Sequence, residues 1–393
     1  MIQTGLDRLL TSAERLAGRR YGFLGHGASL TREGTPAHLA LKDSPAGTPT
    51  ALFGPEHGYY GVEQDMVASL DARDPWTGSP IVSLYGDDES SLRPRAEAFR
   101  GLDLLVVDLQ DVGSRYYTYV ATAIWAAEVA LGAGLEVWVL DRPNPLGGEV
   151  VEGNLLKPGF ESFVGAFRTP VRHGLTLGEM FRLESRRRGW DDEGLEIWAM
   201  DGWRRSMSWP ETGLPWIQPS PNMPTLDTAL VYPGGCLVEA TELSEGRGTT
   251  RPFELLGAPG VDPSVLASKL TDRRLPGVTF VPTYFRPQFQ KHGGTVCGGV
   301  QLLVQDAESF QPLRTGVEVI FEFRQHLGDA FRWREAPYEF VVDRAAIDVL
   351  AGDEACRRAI DAGDESALIA WIEGWREDEA AFQEEVRDLL LYS

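Results

Sequence analysis

The chain has 393 residues, more than one compact core usually holds, so two domains are expected. With 43% hydrophobic and 24% charged residues it reads as globular rather than fibrous or disordered. A net charge of −21 repels nucleic acid and anionic lipid, so neither is an expected partner, although a local basic pocket would still admit an anionic substrate.

The N-terminus, Met1-Ile2-Gln3-Thr4-Gly5-Leu6, has no basic stretch followed by an apolar one, and no window approaches 18 uncharged apolar residues. Cytoplasmic residence is the expectation. Residues 6–16 carry apolar side chains at helical spacing. Tyr21 to Leu24 reads as a short strand running into Gly25-His26-Gly27, and Thr50 to Phe53 as another ending at Gly54-Pro55-Glu56-His57. Ile81 to Tyr85 and Leu104 to Leu109 follow, then a helix over about 117–131 and a strand over 135–140. Thr176-x-x-Glu179 is a capping box opening a helix that ends near Gly189. Apolar strands alternating with helices indicate an α/β fold, a Rossmann-like doubly wound parallel sheet, over residues 1–255. Proline and glycine punctuate 209–259, in a pattern expected of ordered loops that line a site; a linker is the plainer alternative. Residues 256–393 read as a smaller α+β domain. It has helices near 263–270, 312–326 and 366–390, and strands near 278–284 and 296–304.

Three strand ends deliver polar clusters: Glu56 and His57; Gln110, Asp111, Ser114 and Arg115; Asp141, Arg142 and Asn144. In an open parallel sheet, ligands bind beyond the carboxyl ends of the strands, so these clusters should share one edge. Glu56, beside Phe53, Tyr59 and Tyr60, suits a general acid or base; its plainer role is a helix cap. Asp111 could equally be an N-cap, Asp141 to Pro145 a rigid turn, and His173 a loop hydrogen-bonder. Tyr116, Tyr117, Tyr119 and Trp216 could stack on sugar rings or simply pack. Cys236, Cys297 and Cys356 have no ligand spacing, and no HExxH occurs, so no metal is expected. No GxGxxG, GxxxxGK[ST] or GxSxG run follows a strand, so neither a nucleotide cofactor nor an α/β-hydrolase triad is expected.

Several runs carry a family resemblance. Phe53-Gly54-Pro55-Glu56-His57-Gly58, the stretch from Asp108 through Gln110 and Asp111 to Tyr119, and Leu140 through Asp141, Arg142 and Asn144 to Gly148 resemble the exo-β-N-acetylmuramidases, the NamZ or YbbC-like family. Glu152-Gly153, Arg172-His173-Gly174, Pro219-Ser220-Pro221-Asn222-Met223-Pro224, Ser244-Glu245-Gly246-Arg247-Gly248-Thr249-Thr250 and Lys291-His292 extend the match over nearly the whole chain. The resemblance implies a Rossmann-like domain with a smaller auxiliary domain. It implies release of terminal N-acetylmuramic acid from the non-reducing ends of peptidoglycan fragments, without cofactor, with Glu56 the catalytic residue. Gly25-His26 stands where many relatives carry Thr-Asn, and the export signal of many relatives is absent, which suggests action on recycled muropeptide sugars.

On this reading Glu56 is the general acid and His57 positions it. Asp111 is the candidate second carboxylate, with Asp141 and Glu245 in reserve. The 2-acetamido group of the substrate offers another nucleophile, with Asp111 then orienting the amide. Arg115, Arg142 and Arg247 are the candidates for gripping the lactyl carboxylate. Gln110, Tyr117, Tyr119, Asn144, His173, Ser220, Asn222, Thr249 and His292 complete the expected binding set. A muropeptide-binding module without turnover and a hydrolase of another amino-sugar bond are the rival readings.

Overall fold

The computed structural model describes residues 2–64, 67, 72–86, 88–190 and 194–393. Its centre is a seven-stranded sheet of β1 (Tyr21–Gly25), β2 (Ala51–Gly54), β3 (Ala72–Arg73), β4 (Pro80–Ser83), β5 (Leu104–Asp108), β6 (Glu136–Leu140) and β7 (Leu195–Trp198), in the order β3-β4-β2-β1-β5-β6-β7. Neighbours run parallel except the β3–β4 edge pair. All five β5 residues are buried, so both faces of that strand need cover. The alternation of a strand divides them: Leu104 and Val106 join a core with Tyr21, Phe23, Leu6 and Leu41, whereas Leu105 and Val107 join Phe53, Ile124 and Ala127. The first core is covered by α1 (Gly5–Leu10) and α2 (Ala37–Lys42). The second is covered by α3 (Tyr119–Gly132) and α4 (Leu177–Arg188). Strand order reverses between β1 and β5, which sets the crevice of a doubly wound sheet at their carboxyl ends.

The helix expected over 6–16 is interrupted. The Thr11 hydroxyl donates to the Arg8 carbonyl, α1 stops there, and the chain resumes as a 3₁₀ turn at Ala13–Leu16. The capping box at Thr176 forms as expected, and α4 ends on Gly189 in the left-handed conformation.

Beyond α5 (Trp209–Thr212) lies a second lobe. Here α6 (Leu226–Gly235), α7 (Pro263–Asp272) and α8 (Pro312–Leu327) accompany a three-stranded antiparallel sheet. It comprises β8 (Leu255–Ala258), β9 (Val278–Phe285) and β10 (Cys297–Val304), in the order β8-β10-β9. The chain closes with α9 (Ala346–Ala351), α10 (Ala355–Ala362) and α11 (Glu365–Val386). Pro233-Gly234-Gly235 reads as a loop in sequence, yet α6 runs through it. A Cβ on Gly234 would sit 1.9 Å from the Pro312 carbonyl, and one on Gly316 would sit 2.3 Å from the Gly234 carbonyl. The glycines are there because α6 and α8 touch backbone to backbone. No helix among the described residues is long and apolar enough to cross a membrane.

Two devices tie distant segments together. Tyr392, beyond α11, donates to Asp141 Oδ2 (2.5 Å) and accepts from the Met200 amide (2.9 Å), while the Leu391 amide donates to Glu179 (3.0 Å). Glu152 accepts the Arg314 amide in the first turn of α8 at 3.0 Å. Burial pushes the Glu152 carboxyl up from 4.5 to about 7, against the opposing pull of its hydrogen bond from Arg314 and of nearby Arg172. A raised folded-state value means stability that is full below pH 4.5 and lost as pH rises through about 7. Denaturant midpoints measured from pH 4.5 to 8 should fall for the wild type relative to Glu152→Gln, which cannot titrate; parallel curves would contradict this.

Candidate active site

Glu56 follows β2, whose burial fixes the point where the chain leaves the sheet. The turn after it needs His57 in the left-handed region, at φ 70°, with His57 Nδ1 2.9 Å from the Glu63 carbonyl. The Glu56 carboxylate is 5% exposed and accepts the Thr118 hydroxyl at 2.8 Å. Thr118 is the N-cap of α3, and its hydroxyl serves Glu56 instead of the helix. The neighbouring Tyr119 hydroxyl donates to the Pro219 carbonyl (2.8 Å) and lies 3.4 Å from the Glu56 carbonyl. Asn222 donates to Gln64 at 3.1 Å. Three loops are thus pinned around one carboxylate.

The result is a narrow cleft of about 40 Å³. Glu56, His57, Tyr117 and Thr118 form one wall. Ser220, Asn222, Met223 and Tyr232 continue it, and Glu239, Arg247, Phe253, Tyr338 and Glu339 close it. Glu239 accepts from Arg247 (2.6 Å) and from the Tyr338 hydroxyl (2.6 Å). Burial pushes its carboxyl up, but Arg247, Tyr338 and Lys291 more than offset this and hold it below the usual range. Glu239 therefore remains an anion in a dry setting. Lys291 bonds Glu245 (2.9 Å) and the Val238 and Glu239 carbonyls, and Arg247 lies over the Phe253 ring at 5.2 Å. Two carboxyl groups facing one cavity are the arrangement that cleaves an acetal linkage.

Of the residues singled out in the sequence, Glu56, His57, Tyr116, Tyr117, Ser220, Asn222 and Arg247 line this cleft. Several others turn inward. Gln110 donates to the Asp111 and Pro143 carbonyls, and its amide donates to His26 Nε2. Burial and nearby Arg142 lower the His26 value to about 3, so the ring is neutral and can accept that bond. Asp111 accepts the Gly113 amide at 2.7 Å and stands 3.6 Å from His173 Nε2. His173 faces a separate small cavity of about 10 Å³ behind Tyr117. Arg115 donates to the carbonyls of Asn154, Thr169, Leu350 and Ala351, and Arg142 pairs with Asp108 at 2.5 Å. Asp141 accepts from Thr176, Gly178 and Tyr392; Asn144 donates to the Leu175 carbonyl and accepts the Leu146 amide. Glu245 meets Lys291, Thr249 donates to the Gly246 carbonyl, and His292 Nε2 is 2.7 Å from the Glu242 carbonyl. Tyr119 acts through its hydroxyl behind Glu56.

Glu239, Tyr338 and Glu339 were not among the expected residues. Glu239 had a signal: an acid inside the apolar run Cys236-Leu237-Val238-Glu239-Ala240 is destined for burial and needs a partner. Tyr338 and Glu339 have none, since only the fold brings that segment to the first sheet.

Comparison with known proteins agrees along the whole chain. A family model described as exo-beta-N-acetylmuramidase NamZ, N-terminal, matches residues 21–227, and its C-terminal counterpart matches 230–392. The peptidoglycan beta-N-acetylmuramidase NamZ of Bacillus subtilis is 40% identical over 365 residues, covering 92% of this chain and 85% of that one. A crystal structure of a DUF1343 family protein from Bacteroides fragilis has a TM-score of 0.87 and 30% identity, covering 100% of this chain and 99% of that one. A second from the same organism, at 0.74 and 23%, with the same coverage, shares the fold.

The Glu239–Arg247 pair is buried, so breaking one partner strands a charge. Glu239→Ala should cost about 3 kcal/mol or more in denaturant unfolding. Glu239→Gln with Arg247→Met should lose less than the two single changes summed; additive losses would show that the pair is not coupled.

Proposed function

This chain belongs to the exo-β-N-acetylmuramidase NamZ family, and from that premise we propose that it removes N-acetylmuramic acid from the non-reducing end of peptidoglycan fragments with Glu56 as general acid. It is a glycoside hydrolase. The observation that carries the role of Glu56 is its carboxylate at the cleft wall, held by the Thr118 hydroxyl at 2.8 Å with its backbone braced by Tyr119.

In this reading Glu56 gives its proton to the glycosidic oxygen as the bond to the anomeric carbon breaks. Glu239, kept ionised by Arg247 and Tyr338, supports the positive charge that develops on the sugar; water then adds to the anomeric carbon and gives its proton back to Glu56. His57 shapes the turn that aims Glu56. Asp111, paired with His173 behind Tyr117, has a supporting task in the wall. Among Arg115, Arg142 and Arg247, it is Arg247 that lines the cleft, and it is assigned to the lactyl carboxylate. The buried thiols Cys236, Cys297 and Cys356 form no disulfide, which supports a reducing compartment and turnover of fragments taken into the cell.

The test is kinetic. Glu56→Gln should lower kcat on the natural disaccharide at least about 100-fold, the scale of general acid catalysis, with KM little changed. The loss should shrink on a nitrophenyl muramide, whose leaving group needs no proton. An equal loss on both substrates, or near-wild-type turnover, would remove Glu56 from that role.

A further inference from the structure

A second cavity, a trough of about 960 Å³, does not contain Glu56 but adjoins its cleft. The two share one partition. Val164 lines the cleft and Phe163 the trough; Glu339 lines both, and Phe340 only the trough. The hairpin that carries this partition is strained. Tyr338 and Val341 exchange backbone bonds (3.2 and 2.9 Å) around a two-residue turn, with Glu339 at φ 46° and Phe340 at φ 67°. Such a turn normally takes asparagine and glycine. A glutamate and a phenylalanine held there mark a place where side chains matter more than backbone comfort.

The wall of the trough is built from aromatic and charged side chains, backed by the buried Tyr85 and Phe163. Trp125 and Phe163 stack with centroids 5.8 Å apart, and Tyr85 links Phe163 to Phe340 at 5.7 and 6.1 Å. Arg344 lies over Phe160 at 4.2 Å, with one N–H on the Gly159 carbonyl, and makes no ion pair among the described residues. A guanidinium laid on a ring keeps in-plane donors for a planar anion.

An enzyme that takes one terminal sugar into a small cleft must lodge the rest of the chain outside it. We propose that this trough is the aglycone site. It receives the amino-sugar chain beyond the first glucosamine on the reducing-end side of the scissile bond, with Phe340 at its entrance and Arg344 meeting the carboxylate substituent of the next muramyl residue. The inference rests on the muramidase reading and adds a substrate preference to it.

The experiment compares a muramyl-glucosamine disaccharide with the corresponding tetrasaccharide, whose distal lactyl group is either free or amidated. Wild type should cleave the free tetrasaccharide with a several-fold lower KM than the disaccharide. Phe340→Gly, which also relieves the turn, should abolish that advantage and leave the disaccharide within about twofold. Arg344→Gln should raise KM for the free tetrasaccharide but not for the amidated one. Equal turnover of the two lengths by wild type, or equal losses on both lengths in Phe340→Gly, would overturn the aglycone site. Equal effects of Arg344→Gln on free and amidated chains would overturn the carboxylate contact. Failure of wild type to release N-acetylmuramic acid from any of them would refute the muramidase reading instead, so the two failures are distinguishable.

Discussion

The segment between β5 and α3 leaves the sheet without regular structure and yet is buried from Leu109 to Thr118. Backbone groups removed from water must find partners, and a loop has no ladder to supply them. Side chains supply them here. Gln110 and Arg115 donate to carbonyls from four other segments, Asp111 takes the Gly113 amide, and Asn144 does the same work in a neighbouring loop. The approach is so close that a Cβ on Gly113 would fall 2.3 Å from Asn144. The loops are rigid because these bonds are made, and that rigidity delivers Thr118 and Tyr119 to Glu56.

The polar residues at the strand ends accordingly divide into two populations. One faces backbone and holds the frame; the other faces the cavity. Both look alike in sequence, since each needs polar atoms in an apolar neighbourhood. The charges differ in how they are kept. Asp108 is matched within the sheet by Arg142, whereas Glu239 is held ionised at the cavity edge by groups from three segments of the second lobe. The chemistry proposed for the cleft uses one carboxylate from each lobe.

The α/β architecture was legible because β1, β5 and β6 are short apolar runs separated by helical spacing, and burial on both faces leaves little choice of class. The place of Glu56 at the cleft was legible because it stands immediately beyond such a run in a motif of unusual composition. The orientation of the other clusters was not, because it depends on which carbonyls lie opposite in space. α6 was hidden for a related reason: Gly234 reads as a helix breaker, but its real constraint is the backbone of α8. Glu239 and Tyr338 were hidden because their partner across the cleft is some 180 to 280 residues away along the chain, a contact no local pattern records.

Leu391 and Tyr392 return from the far end of the chain to Glu179 and Asp141, beside β6 and α4. Burial pushes the Asp141 carboxyl up to about 6, and Tyr392, Gly178 and Thr176 are the donors that hold it. Two of those donors lie within 37 residues of Asp141 along the chain, but the third lies 251 residues away. The strand end that carries Asp141 therefore gains its full set of partners only through a contact of long sequence separation, which forms late because a long loop must close first.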